Sequence, residues 1–245
     1  TNNIAYVQIG FDALKVPLDK IPYLSLVGSL VLGMGTSRHS YMEISQLLGI
    51  HTGGLRSWHF TSAKINDHKN ILSRIFFSGK GLMENLDHLF DIWEEVIFEY
   101  DFNNPKRLIE IIKSSKAGME DSILSSGNHY VLSRLNSYHS LLGKYNELVE
   151  GISYYRFLEK LLVRAEKNPD EVAEEFRGVA QSLFTKENIL VNITAPESDY
   201  KIIEKRAIGL TQKLSDKKQS PVDLKFDVGP INEAFLTASS VQFVG

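Results

Sequence analysis

The chain has 245 residues, of which 43% are hydrophobic and 23% are charged, a composition typical of a globular protein long enough to bury a sizeable core. Its net charge is −3 and its 27 basic residues are scattered along the sequence, which argues against a surface for nucleic acid or anionic lipid. It contains no cysteine, which excludes disulfides, thiolate metal sites and a cysteine nucleophile, and which fits a reducing compartment.

The first third of the sequence combines short strands with helices. Residues 4–11 alternate in polarity, which predicts a strand. An apolar helix follows within residues 23–34, where glycines interrupt a run too short to span a bilayer. A second helix is predicted at 41–50. Strands at 55–64 and 70–78, separated by a short polar stretch, predict a hairpin.

Helices dominate the rest of the chain. From residue 81 the apolar residues recur at helical spacing, which predicts a helix packed on a sheet. The remaining predicted elements are a run of helices from Pro105 through residue 135, helices at 145–165 and from Pro169, a strand at 187–194 and an amphipathic helix at 200–214. This order predicts an α+β fold, with a mostly antiparallel sheet and a block of helices packed on one of its faces.

The sequence contains no convincing metal or catalytic pattern. His39 and Glu43 stand four residues apart and could share a helix face, but two ligands do not hold zinc, and a surface histidine with a glutamate partner is commoner. The other histidines have spacings that match no known ligand arrangement, so no metal ligand is assigned. Ser29 has no His or Asp near it in sequence and is interpreted as a buried serine bonded to the preceding turn.

Four aromatic residues lie in the predicted hairpin. A base-stacking surface would need basic neighbours in excess, and these are absent, so the aromatic side chains are predicted to form sheet core. They are Trp58, Phe60, Phe76 and Phe77.

The polar stretch before Pro221 is the one convincing linker in the sequence. It divides the chain into a domain at 1–214, a linker at 215–221 and the beginning of a further domain at 222–245. The chain starts at Thr1 and ends in a strand-like alternation at 240–245 with no partner after it. We therefore expect it to be a piece of a longer polypeptide.

The order of several short motifs resembles a known family. The motifs are the apolar helix ending in Met34-Gly35-Thr36, the short helix with Tyr41 and Glu43, Thr52-Gly53-Gly54 before a strand, Tyr154-Tyr155 after Gly151-Ile152, and the closing residues 233–245. Together they resemble a domain of the pitrilysin/insulysin family of zinc peptidases, in the presequence-protease branch with its bacterial and falcilysin-like relatives. The resemblance implies the pitrilysin-type fold, also called LuxS/MPP-like.

The resemblance also implies which half of such a peptidase this is. Members of the family have two related halves, and only the first bears His-x-x-Glu-His, whose histidines hold zinc while the glutamate acts as base. Counting back from Gly35-Thr36, the matching positions here are Leu26, Ser29 and Leu30. None of these side chains can bind zinc or take a proton. The chain is therefore expected to be inactive by itself and to belong to the second, non-catalytic half, with zinc in the other half.

By the same resemblance, the parent protein would be a zinc metalloendopeptidase that degrades short unfolded peptides inside a closed chamber made by its two halves. This segment would form part of the chamber wall, with the N-terminal catalytic half and peptide substrates as partners and with neither nucleic acid nor membrane. The location would be cytoplasmic in a bacterium, and the mitochondrial matrix or plastid in a eukaryote. Two alternatives stay open: an inactive scaffold or partner-binding subunit of the same fold, and an unrelated α+β binding domain.

Overall fold

The computed structural model describes residues 3–187, 189–218, 220, 222–226, 229–236 and 243. Its sheet contains the strands β1 Ile4–Asp12, β2 Leu55–Lys64, β3 Asp67–Leu82 and β4 Leu190–Thr194. The strand order is β2-β3-β1-β4, and every neighbouring pair is antiparallel. The predicted antiparallel sheet and its β2-β3 hairpin are confirmed.

The helices pack on one face of this sheet. They are α1 Leu24–Gly33, α2 Tyr41–His51, α3 Leu86–Phe98, α4 Pro105–Ser125, α5 Gly127–Asn136, α6 Leu141–Val149, α7 Ile152–Lys167, α8 Pro169–Leu183 and α9 Tyr200–Gln212. Alternate residues of β1 point into the core beneath them, and Ala5, Val7, Ile9 and Phe11 are fully buried. The α+β class predicted from the sequence is confirmed. No helix in the described part of the chain is long and apolar enough to cross a membrane.

Local capping explains where the helices begin. Before α2, the Ser40 hydroxyl accepts a hydrogen bond from the Glu43 amide, while the Glu43 carboxylate accepts from the Ser40 amide at 2.8 Å, a complete capping box. The Asn104 side chain caps α4 by accepting from the Arg107 amide at 3.1 Å, with Pro105 at the first helical position.

Strand β3 is longer than predicted, and the following helix begins later. The helical spacing of apolar residues from residue 81 predicts a helix that begins there. In the structure β3 continues to Leu82, and α3 starts at Leu86. The reason is the partner strand, because β1 pairs with β3 as far as Ile4 opposite Leu82. The apolar spacing after residue 81 fits both structures, and pairing with β1 decides between them.

The helix predicted at 145–165 is two helices, α6 and α7, broken at Gly151. Gly151 has an extended backbone, and a β-carbon there would lie 2.1 Å from the Glu147 carboxylate. That carboxylate, fully buried, accepts from the Ser153 amide at 2.9 Å and so caps the first turn of α7 from the preceding helix. Gly151 is thus the residue that leaves room for the cap.

The buried charge of Glu147 is balanced by Arg134, which also binds the segment beyond α9. The Arg134 guanidinium lies 2.9 Å from Glu147 and 2.5 Å from Glu233, and Tyr138 donates to the same Glu233 carboxylate. Arg134 therefore joins α5, α6 and the C-terminal segment.

The chain after residue 214 also contacts the preceding residues at other points. The Val222 amide donates to the Leu14 carbonyl at 2.9 Å, and Leu224 and Phe226 pack against the core. The closing strand predicted at 240–245 lies outside the described residues except for Phe243. The division at 215–221 stays a prediction.

Candidate functional site

The three positions matched to the zinc motif lie on α1. Leu26 and Leu30 are 1% and 0% exposed and belong to the hydrophobic core, whereas Ser29 is exposed on the opposite side of the helix. The interpretation of Ser29 as a buried serine is wrong, because the core-facing arc of α1 is centred near Val27 and Val31, and position 29 falls on the opposite side at 3.6 residues per turn. The serine of α1 that does bond inward is Ser25, whose hydroxyl donates to the Val149 carbonyl at 2.5 Å.

Two glycines fix α1 and the loop after it. Gly28 lies so close to β2 that a β-carbon there would be 2.2 Å from the Ser57 hydroxyl oxygen. Gly35 has φ of +98°, and a β-carbon there would be 2.8 Å from the Tyr41 amide nitrogen. The Met34-Gly35-Thr36 motif is therefore needed for the tight turn that leads into α2.

His39 is tied to a buried carboxylate rather than to Glu43. Its Nδ1 lies 2.8 Å from Glu95, a residue of α3 that is 4% exposed and also bonds Thr36 and, at 3.3 Å, Arg38. His39 and Glu43 do not share a helix face, because α2 begins after Ser40 and leaves His39 in the loop, where it has a glutamate partner, Glu95. This cluster anchors the α1–α2 loop on α3.

His59 is partly buried beneath the helices. It stands on the helix-covered side of β2, where its Nε2 lies 2.7 Å from the Ser73 hydroxyl, which in turn lies 2.8 Å from the Tyr145 hydroxyl. Burial lowers the pKa of His59 to about 4 and raises that of Tyr145. Its Nδ1 has no hydrogen-bond partner among the described residues. The described residues contain no group of three or more His, Asp or Glu placed to hold a metal ion.

The face of the sheet opposite the helices is open, and most of the predicted aromatic core lies there. Trp58 and Phe60 are 40% and 39% exposed, and the Trp58 ring stacks on Phe76 with centroids 4.6 Å apart. Phe76 lies flat over Gly10, where a β-carbon would be 2.6 Å from its ring. Phe76 is itself buried at 9% exposure, and Phe77, which points the other way, lies in the core at 0% exposure. Strand alternation identifies two faces without saying which one is covered.

A ladder of hydrogen bonds crosses this open face through all four strands. The Asn192 amide donates to the Gln8 carbonyl oxygen, and the Gln8 amide donates to the Ser78 hydroxyl, each at 3.1 Å. The Trp58 indole donates to the same hydroxyl from the other side at 3.1 Å. Strand register brings these side chains together, because Gln8 pairs with both Asn192 and Ser78.

Beside the ladder lies a shallow depression of about 590 Å³. It is lined by Tyr6, Gln8, Gly53, Gly54, Leu55, Arg56, Ser78, Gly79, Lys80, Asn192 and Thr194. Of the described residues in this lining, two are cationic, Arg56 and Lys80, and none is acidic. Sequence reasoning missed this surface, since Arg56 and Lys80 are 24 positions apart and only the pairing of β2 with β3 makes them neighbours.

Several relatives match the chain over much of its length. Residues 1–161 match the family model for the region associated with peptidase family M16, subfamily C. The chain is 27% identical to the Clostridium perfringens protein HypA and 25% identical to Arabidopsis thaliana presequence protease 1, chloroplastic/mitochondrial, and both alignments cover 100% of the chain. It is 28% identical to the mitochondrial presequence protease of Saccharomyces cerevisiae over 165 residues. The chain spans about a quarter or less of the length of these relatives, 25%, 23% and 16% respectively.

A solved structure shares the fold. It is the crystal structure of a peptidase M16 inactive domain from Pseudomonas fluorescens, with a TM-score of 0.57 and 12% identity, covering 90% of this chain and 49% of that one. The resemblance to the presequence-protease branch of the pitrilysin family is confirmed by these matches. The chain belongs to the family of regions associated with M16 peptidases of subfamily C.

Proposed function

We propose that this chain is a non-catalytic segment of a zinc metallopeptidase that degrades short unfolded peptides, and that the open face of its sheet forms part of the wall of a closed substrate chamber. The observation that carries the proposal is the contrast between the two sheet faces. One face is covered by helices, while the other presents Trp58, Phe60 and the Gln8–Ser78 ladder without a covering layer in the described part of the chain. A sheet exposed in this way is suited to face a water-filled space that holds extended peptides.

Zinc would be held elsewhere in the parent protein. The residues matched to the zinc motif are two buried leucines and a serine, Leu26, Leu30 and Ser29, and none offers an imidazole or carboxylate. These residues do not fit the metal, so no step of the peptidase reaction is assigned to them. The N-terminal catalytic half of the same polypeptide is the proposed partner that supplies it.

The proposal also covers the domain organisation and the location of the protein. The division into a domain at 1–214, a linker at 215–221 and a further domain at 222–245 is proposed from sequence composition. The location is proposed as cytoplasmic if the source is bacterial, and as the mitochondrial matrix or plastid if it is eukaryotic.

The proposal is tested by measuring how accessible the two sides of this segment are in the natural polypeptide. Because these 245 residues contain no cysteine, a single cysteine can be placed on the open face as Tyr6→Cys, and on the outer surface of α7 as Glu159→Cys. Both positions are exposed in the described structure. A small maleimide should label both, whereas a maleimide attached to a folded protein should label only Glu159→Cys.

A short unfolded peptide should also slow labelling at Tyr6→Cys and leave Glu159→Cys unchanged. Equal labelling of both variants by the bulky reagent would refute the closed chamber. Cleavage of unfolded peptides, abolished by chelating zinc, would support a peptidase, whereas a polypeptide that never cleaves them would favour the inactive scaffold.

A further inference from the structure

We propose that Arg56 and Lys80, on the open face of the sheet, form a binding site for a carboxylate group of an extended peptide. The inference rests on the proposed function, which it deepens by naming the chemistry of the peptide that this wall would hold. The carboxylate would be either the C-terminus of the peptide or an acidic side chain.

Strand register places the two cations side by side. Arg56 is directly opposite Ser78 in the β2-β3 pair, and Lys80 lies two residues further along β3 on the same face. Diagonal neighbours of this kind have backbones about 7–8 Å apart, within reach of two long side chains. A single carboxylate can therefore contact both.

Neither cation is neutralised by the described part of the protein. Arg56 and Lys80 make no ion pair there, unlike Arg107, Arg164 and Arg177 on the helices, and none of the described residues that line the depression is acidic. The Lys80 stem lies over Gly53, where a β-carbon would be 2.6 Å from it. Two like charges that line one depression favour an anion from outside.

The floor of the depression supplies neutral donors. Ser78 already accepts hydrogen bonds from Gln8 and Trp58, both at 3.1 Å, so its own hydroxyl hydrogen stays available to an acceptor. The Asn192 side chain bonds Gln8 and completes the ordered floor. An anion seated here would meet two charged donors and one neutral donor on a rigid sheet.

The aromatic residues indicate the rest of the ligand. Phe60 lies four residues along β2 from Arg56, and Phe76 four residues along β3 from Lys80, a separation of about 13 Å in a strand. Both rings lie on the open face with Trp58. A fitting peptide carries an apolar side chain about four residues from its carboxylate.

The experiment uses the natural polypeptide and a fluorescent peptide that ends in a free carboxylate, with an apolar residue four positions before it. N-methylated backbone amides keep the peptide from being cut. Two matched peptides separate the sources of the carboxylate: one has an amidated C-terminus, and one is amidated but carries an internal Glu. Anisotropy gives Kd for each with the natural protein, Arg56→Gln and Lys80→Gln.

We expect each substitution to weaken binding of carboxylate peptides about three- to ten-fold, the range for charged hydrogen bonds at partly exposed sites. Binding of the amidated peptide without Glu should not change, and the loss should shrink at high salt. The matched control is Lys160→Gln, which removes an exposed cation on α7 and should leave every Kd unchanged.

The outcomes separate the two proposals. Equal affinity for carboxylate and amidated peptides, or equal loss in Lys160→Gln, would overturn the carboxylate site while the chamber proposal stands. Failure of all the peptides to bind would overturn both. A loss confined to the C-terminal carboxylate peptide, or to the Glu peptide, would identify which source the site recognises.

Discussion

Replacement of Gly28 by alanine tests how closely α1 lies on the sheet. A β-carbon at position 28 would be 2.2 Å from the Ser57 hydroxyl oxygen and 2.5 Å from the Ser57 β-carbon. The hydroxyl can rotate away, but the β-carbon is fixed by strand β2. The helix, the strand or both must therefore shift to admit one methyl group.

Two effects of opposite sign set the magnitude. Alanine is favoured over glycine in a helix interior by about 1 kcal/mol. Overpacking a well-filled core costs about 1–3 kcal/mol. We expect Gly28→Ala to lower the free energy of unfolding by up to about 2 kcal/mol, the difference between these terms. The matched control is Gly118→Ala in the middle of α4, where a β-carbon would have no described atom within 4 Å, and it should raise the free energy of unfolding by about 1 kcal/mol.

Urea unfolding of the full chain, followed by circular dichroism, measures both free energies. The Ser57→Gly substitution removes the obstructing atoms. In the Ser57→Gly background, Gly28→Ala should therefore no longer lower the free energy of unfolding. If Gly28→Ala instead stabilises the protein as much as Gly118→Ala does, α1 is not in close contact with β2 and the reasoning is refuted.

Two further predictions concern buried ionisable groups. Folding lowers the pKa of His59 from 6.5 to about 4. As the pH falls, the unfolded chain therefore binds the proton before the folded protein does. The free energy of unfolding should drop by about 3 kcal/mol in total between about pH 6.5 and 4. Urea unfolding across that range should show a flatter pH dependence in His59→Gln, and an unchanged slope would contradict the assignment. Arg134→Met should destabilise the protein by about 3–5 kcal/mol, since it leaves the fully buried Glu147 carboxylate uncompensated. The double variant with Glu147→Gln should recover part of the loss, and a loss in Arg134→Met below about 1 kcal/mol, as for an exposed ion pair, would count against this role.

The sequence predicted those elements whose signals are local. The alternation of β1 and the Asn104-Pro105 start of α4 depend on neighbouring residues, and both agree with the structure. The end of β3 and the break between α6 and α7 depend on distant contacts, namely the pairing with β1 and the Glu147 carboxylate beside Gly151. No local pattern reports such contacts.

The candidate site could not be predicted from the sequence, because it too depends on contacts between distant residues. Trp58 and Phe60 have the residue types of a sheet interior, and only the position of the helices shows that their face is open. Arg56 and Lys80 become a pair through the register of two strands. The family resemblance, by contrast, depends on ordered short motifs and was accessible from the sequence.

The burial of Leu26 and Leu30 has a consequence for the history of this segment. Under the proposed correspondence, these leucines stand where a catalytic half has its zinc-binding histidines, yet here they fill the core with 1% and 0% exposure. Restoring either histidine alone would remove apolar packing and bury an imidazole without a metal, at a cost of several kcal/mol. If the correspondence holds, either substitution alone would be selected against before it could bring a benefit. A zinc site could then not arise here one substitution at a time, because both positions contribute to the core.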